Sequence, residues 1–221
     1  MLTIRFLSRL AVATVIALVF AAAGAKAADA PAGSAGEFDG SKFTCLNYTN
    51  GLGESSSMRA QSMIAHLWME GYLAGFYKAQ GKLEMSADKA DAQMLDNLML
   101  QRCRDFASYT ILTVAQQAIG KDPHKLPAEA VPDFAPASYT CGQHLDAKKG
   151  SAGDANKADL ADLWAFAFIQ GFKNASQPQM VIPLENKDVL VGAVNKNCGN
   201  NRNMSFLDLT ALVADKVKLA P

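Results

Sequence analysis

The stretch LWMEGYLAGFYKAQ at residues 67–80 returns as LWAFAFIQGFKNASQ at 163–177, and the return keeps register. Phe43-Thr44-Cys45 recurs as Tyr139-Thr140-Cys141, Leu67-Trp68 as Leu163-Trp164 and Gly75-Phe76 as Gly171-Phe172, each at an offset of 96. Cys103 recurs as Cys198 at 95, one residue having been lost between. In the shifted frame Met94-Leu95 and Leu98-Met99 match Val189-Leu190 and Ala193-Val194. Landmarks that hold register over so long a span mark a duplication, so the chain is expected to fold as two copies of one module.

Each copy reads as helical. Between Met58 and Gln80 the apolar residues Ile64, Leu67, Trp68, Tyr72, Leu73 and Phe76 keep the three-and-four spacing of one helix face. Leu160, Leu163, Trp164, Phe168, Ile169 and Phe172 do the same in the second copy. Segments near 88–102, 107–119, 187–196 and 204–218 share the period, with Ser205 or Asn203 placed to cap the last. Met180-Val181-Ile182 is the one β-prone stretch, so the expected fold class is all-α. Gly71 and Gly75 form a GxxxG, matched by Ala167 and Gly171. Close packing within the module's own core is the expectation, and a docking face for another helix the competing reading. Trp68 and Trp164 read as core anchors.

The flanks set the domain boundaries. Arg5 and Arg9, an apolar run to Gly24 and the small-x-small Ala25-Lys26-Ala27 describe a cleaved signal peptide at 1–27, hence export to the periplasm. That apolar run is short of the roughly 20 residues a membrane span needs, so no stable membrane insertion is expected after cleavage. Residues 28–42 are small, polar and turn-rich, and read as a flexible N-terminus. Module 1 is then 43–122 and module 2 is 139–221. Between them Pro123, Pro127, Pro132 and Pro136 make 123–138 a stiff linker. GLGESSS, at 51–57, reads as a flexible loop.

Cys45, Cys103, Cys141 and Cys198 all follow the signal, and four cysteines in an exported chain point to disulfides. Four permit three pairings. If each copy folds as its own unit, the pairing is Cys45–Cys103 and Cys141–Cys198, each worth about 4 kcal/mol by chain-entropy bookkeeping. Zinc would want Cys-x-x-Cys or close Cys/His pairs, whereas His66, His124 and His144 stand singly, so neither metal nor cofactor is expected.

Charge excludes further classes. Taking Arg5, Arg9 and Lys26 from the 21 Lys and Arg leaves 18 against 21 Asp and Glu, a mature chain of about −3, which does not suggest nucleic acid as a partner. No Gly-rich phosphate loop, G-x-S-x-G or H-E-x-x-H is present, so an enzyme is not expected, a hydrolase built on His66 or His144 being the remote exception.

The aromatic-Thr-Cys start, the amphipathic middle and a second Cys in a helix resemble the HdeA/HdeB-type periplasmic acid-stress chaperones. So does Phe206, eight residues after Cys198, with Ile111 at the same place after Cys103. The likeness covers 43–119 and 139–218. Members of that family carry one module per chain and pair as dimers, whereas this chain carries two, so an internal pseudo-dimer or a homo-oligomer is implied. The resemblance implies binding of unfolded or acid-stressed periplasmic proteins through apolar helix faces exposed at low pH. Trp68, Tyr72, Phe76, Trp164, Phe168, Phe172 and Phe206 are the candidate core or client-contact residues. The competing reading is an immunity or inhibitor protein that binds a cell-wall-degrading enzyme, a group with helices of similar W-x-x-x-aromatic-x-x-G-aromatic pattern.

Overall fold

The computed structural model describes residues 35–53, 56–120, 125–131, 134–150, 152–178 and 180–218; the expected signal peptide lies outside them. The first repeat runs α1 (Cys45–Gly53), α2 (Ser56–Ala79), β1 (Glu84–Ser86), α3 (Lys89–Asp105), α4 (Ile111–Ala118) and β2 (Lys125–Pro127). The second runs α5 (Cys141–Ala147), α6 (Ala152–Asn174), α7 (Lys187–Asn200) and α8 (Phe206–Lys216). The all-α fold expected from periodicity is the fold observed, and the disulfides are Cys45–Cys103 and Cys141–Cys198. Among the described residues no helix is long and apolar enough to cross a membrane.

The repeated Thr-Cys dipeptide has a backbone explanation. Thr140 caps α5: its Oγ1 accepts the Gln143 N–H at 3.2 Å, while Gln143 Oε1 accepts the Thr140 N–H at 2.7 Å, a reciprocal capping box. Beside each first cysteine, two antiparallel backbone bonds tie the start of the module to its last helix. Cys45 N–H donates to Tyr109 O at 2.7 Å and Ile111 N–H to Phe43 O at 3.0 Å. Cys141 N–H donates to Met204 O at 3.0 Å and Phe206 N–H to Tyr139 O at 2.7 Å. Thr110 and Ser205 then cap α4 and α8 with their side chains. Both ends of the module are thus fastened at one point, with the disulfide alongside.

Four expectations need correction. Gly51–Gly53 of the supposed flexible loop form the last turn of α1, and Ser56 and Ser57 open α2. In place of a linker, residues 125–127 form β2, parallel to β1 with Leu126 opposite Met85. Phe134 is fully buried, with its ring 6.1 Å from Trp164 and 6.2 Å from Phe206, so the segment gives β2 to the first repeat and Phe134 to the core of the second. The described end of the N-terminal segment, 35–42, is likewise packed. Ala35 and Phe38 are buried, and Lys187 Nζ donates to the carbonyls of Ala35 at 2.9 Å and Gly36 at 3.0 Å. Phe38 and Phe134 stand 96 apart, so each module begins five residues earlier than its Thr-Cys landmark implies. The β-prone Met180-Val181-Ile182 forms no strand, whereas its counterpart Glu84–Ser86 does.

The described residues, from Ala35 onward, belong to one compact unit. The most extensive contact between elements is that of α2 with α6, the two copies of the same helix.

Candidate functional site at the seam between the repeats

The opening LWMEGYLAGF and LWAFAFIQGF lie on α2 and α6, and their small residues explain how closely those helices approach. A Cβ on Gly171 would sit 1.8 Å from the Tyr72 carbonyl oxygen, and one on Gly75 1.9 Å from that of Phe168. One on Gly71 would sit 2.6 Å from the Trp164 carbonyl oxygen and 3.2 Å from Ala167 Cβ. Backbone meets backbone here, as in small-xxx-small helix pairs. The GxxxG therefore docks the sister repeat's helix; it does not pack its own module's core. Periodicity identifies an apolar face but carries no label for its partner.

The aromatic candidates line and flank this seam. Tyr72, Trp164, Phe168 and Phe206 are fully buried, Trp68 and Phe76 are buried, and Phe172 is partly buried against the same core. Trp68 stacks on Tyr72 at 5.5 Å and Trp164 leans on Phe168 at 5.1 Å. As the molecule stands, these residues form core and present no continuous face to a client.

Inside the seam lies a residue to which sequence reading gave no role. Glu70 is fully buried on α2, and neither carboxyl oxygen has a hydrogen-bond partner. Burial pushes its pKa well above the carboxylate range; the Trp164 indole pulls modestly the other way, and the Asp96 charge adds to the rise. Trp164 Nε1–H, which exerts that pull, likewise has no hydrogen-bond partner. A carboxyl so placed is held neutral, since an unpaired buried charge is far more costly. Its counterpart in the second repeat is Phe166, also buried. The signal was legible: one acid inside an otherwise apolar ten-residue run.

The singly spaced histidines acquire partners in space. His66 Nε2 lies 2.8 Å from Asp96 Oδ1, and that bond holds the Asp96 carboxyl below its ordinary value despite partial burial. In the second repeat His144 Nε2 lies 2.7 Å from Asn195 Oδ1 and 3.1 Å from Asp162 Oδ1, and Lys148 closes on the other oxygen of Asp162. His66 and Asp162 occupy the same repeat position, so each copy has one imidazole–carboxylate pair at that position, with the partner drawn from α3 in the first and from α5 in the second. His124 lies outside the described residues. Across the seam Lys78 of α2 meets Asp208 of α8 at 2.9 Å. The hydrogen bond from Lys78 holds the Asp208 carboxyl below its ordinary value against a smaller effect of burial, with Ser205 adding to the lowering.

This arrangement is a store of apolar surface closed by helix contact and fastened at its rim by charge. Comparison with family models, curated proteins and solved structures finds no match to this chain.

Proposed function

We propose that this chain is an exported holding chaperone of the acid-stress type, an internal pseudo-dimer that shields unfolded periplasmic proteins when acid opens the seam between its repeats. The observation that carries the reading is the α2–α6 seam, which stores aromatic faces between two repeats that are each cross-linked separately. Resemblance of the module to HdeA/HdeB-type chaperones supports it from the sequence side.

The rim responds to acid with the required sign. Asp208, which crosses the seam to Lys78, and Asp96, paired with His66 inside the first repeat, have folded-state pKa values below their ordinary ones, so they stabilise the fold above the unfolded pKa and lose that contribution as pH falls through the folded one. Lys78–Asp208 is more than a third exposed on both sides, so its own contribution is a fraction of a kcal/mol. Collective charge does more. With carboxylates protonated and the three His charged, the mature chain moves from about −3 toward about +21. The repeats then repel as whole bodies while each disulfide keeps its own repeat compact. Exposed Trp, Phe and Leu hold clients by non-directional apolar contact.

The test is aggregation of an unrelated client at about pH 2.5 and again at pH 7, beside a dye that reports apolar surface. Protection and dye binding are expected to rise together in acid. Equal protection at both pH values removes acid activation; none at either removes the chaperone reading and leaves the inhibitor one.

A further inference from the structure

The seam joins two copies of one helix, so three pairings are open to its faces: α2 on α6, α2 on α2 and α6 on α6. Along the contact many residues are interchangeable. Gly75 answers to Gly171, Trp68 to Trp164, Tyr72 to Phe168 and Phe76 to Phe172. These give either helix little reason to prefer its sister to a like helix brought by a second copy of the chain. Two adjacent differences carry chemistry that bears on the contact. Where α2 has Glu70-Gly71, α6 has Phe166-Ala167.

Each difference acts on a different wrong pairing. Gly71 and Ala167 face each other, and the space between them holds one methyl group. A Cβ on Gly71 would sit 3.2 Å from Ala167 Cβ and 2.6 Å from the Trp164 carbonyl oxygen. Pairing α6 with α6 puts a second methyl group there, against backbone that cannot yield. Pairing α2 with α2 meets no methyl at all, but it brings two Glu70 carboxyls into an apolar seam. One such carboxyl is already fully buried with neither oxygen hydrogen-bonded. The Trp164 indole of α6 and the Asp96 charge on α3 bear on it, and neither satisfies it. Phe166, whose place the second carboxyl would take, is buried as well, so the cost is incurred twice. Only α2 on α6 holds one methyl and one carboxyl.

We propose that Glu70 and Ala167 make the seam selective for unlike helices, each excluding the pairing of its own helix with a second copy of itself. A chain opened at the seam then closes on its own sister repeat, or reciprocally on the opposite repeat of a second copy, and never like on like. The selectivity belongs to the faces themselves. It therefore holds whether acid or denaturant opens the seam, and stands independently of acid activation.

The test builds the wrong pairings inside one chain. Glu70→Phe with Gly71→Ala gives α2 the residues of α6, and Phe166→Glu with Ala167→Gly gives α6 those of α2. The four changes together restore unlike helices with the roles exchanged. All are made in the full mature chain with its disulfides intact, and unfolding is followed in guanidinium chloride at neutral pH. Each two-residue variant is expected to have a folding equilibrium constant about tenfold or more below the parent's. The four-residue variant is expected to regain most of the summed loss, a coupling that independent sites do not show. The carboxyl has its own signature. The deficit of Phe166→Glu with Ala167→Gly is expected to narrow as pH falls toward 4.5, the ordinary value for glutamate, whereas the steric deficit of Glu70→Phe with Gly71→Ala does not. Losses that simply add in the four-residue variant, or a carboxyl deficit that ignores pH, overturn the proposal. Where a two-residue variant does not fold, a folded four-residue variant is the recovery expected, and its failure to fold overturns the proposal equally.

Discussion

The two repeats share a backbone frame and differ in what satisfies it. Around Met85 the first repeat completes its hydrogen bonding with a second strand: Leu126 lies opposite, and Ala128 N–H donates to the Ser86 carbonyl at 2.6 Å. Around Val181, at the same repeat position, a side chain does this instead. The Gln170 amide donates to the Met180 carbonyl and accepts the Ile182 N–H at 2.6 Å, bracketing Val181 as a neighbouring strand's peptide group would. The first repeat has Ala74 where the second has Gln170. Buried backbone groups must be paired by something, but the partner is free to change after duplication. The imidazole–carboxylate pairs show the same freedom, one having its histidine where the other has its aspartate. What did not diverge is the geometry of the seam, where glycine is set against backbone.

That contrast predicts the largest effect. Gly171→Ala puts a methyl group where the Tyr72 carbonyl stands, and backbone cannot yield as a flexible side chain does. The expected loss is about 3 kcal/mol in chemical denaturation, with the repeats no longer seated at their native spacing. Gly192→Ala, in the middle of α7 with nothing within 4 Å of the added Cβ, is the matched control. It is expected to be stabilising by up to about 1 kcal/mol, because alanine is the better helix former. A loss at Gly192 as large as that at Gly171 would show that the seam is not what requires glycine.

Removing the side chain that replaces a strand is expected to have a smaller effect. Gln170→Ala leaves the buried Ile182 N–H without a partner, while Asn174 Nδ2 still serves the Met180 carbonyl at 2.9 Å. One orphaned donor costs about 2 kcal/mol, and hydrogen exchange at Ile182 is expected to quicken ahead of global unfolding. If stability is unchanged, the Gln170 amide is not the functional equivalent of β2, and the comparison of the repeats fails at this point.

These differences mark the boundary of what the sequence made legible. Register alone revealed the duplication and, through it, the disulfide pairing; three-and-four spacing located the long helices. Each is a property of residues near in sequence or repeated at a fixed offset. The partner of the GxxxG face, the burial of Phe38 and Phe134 and the fate of the proline-rich segment depend on contacts between copies. Those contacts leave no period to read. The short helices α1 and α5 were hidden for a different reason. Gly51 and Gly53 lower the propensity of α1, and Gly142 that of α5, while tertiary bonds beside the disulfides supply what propensity does not.

The smallest effect concerns the one acid in the seam, and its sign separates the centre of the interface from the rim. Glu70 is expected to be neutral in the folded chain, whereas in the unfolded chain it ionises above its ordinary value of 4.5. The unfolded state therefore sheds a proton that the folded state keeps, and Glu70 progressively destabilises the fold as pH rises from about 4.5 toward its folded pKa. Below the ordinary value that handicap is gone, so acid relieves the centre of the seam at the pH where it weakens Asp208 at the rim. Opening in acid must accordingly begin at the rim. Glu70→Gln removes the titration and keeps the shape, and Glu70→Phe restores the residue type of the second repeat. Denaturation measured between about pH 4 and 8 is expected to show Glu70→Gln gaining on the parent as pH rises and converging with it near the acid end. Asp208→Asn is expected to fall below the parent at neutral pH and converge with it in acid. Were Glu70→Gln to gain on the parent as pH falls, Glu70 would be ionised in the seam, and the acid switch would lie at its centre.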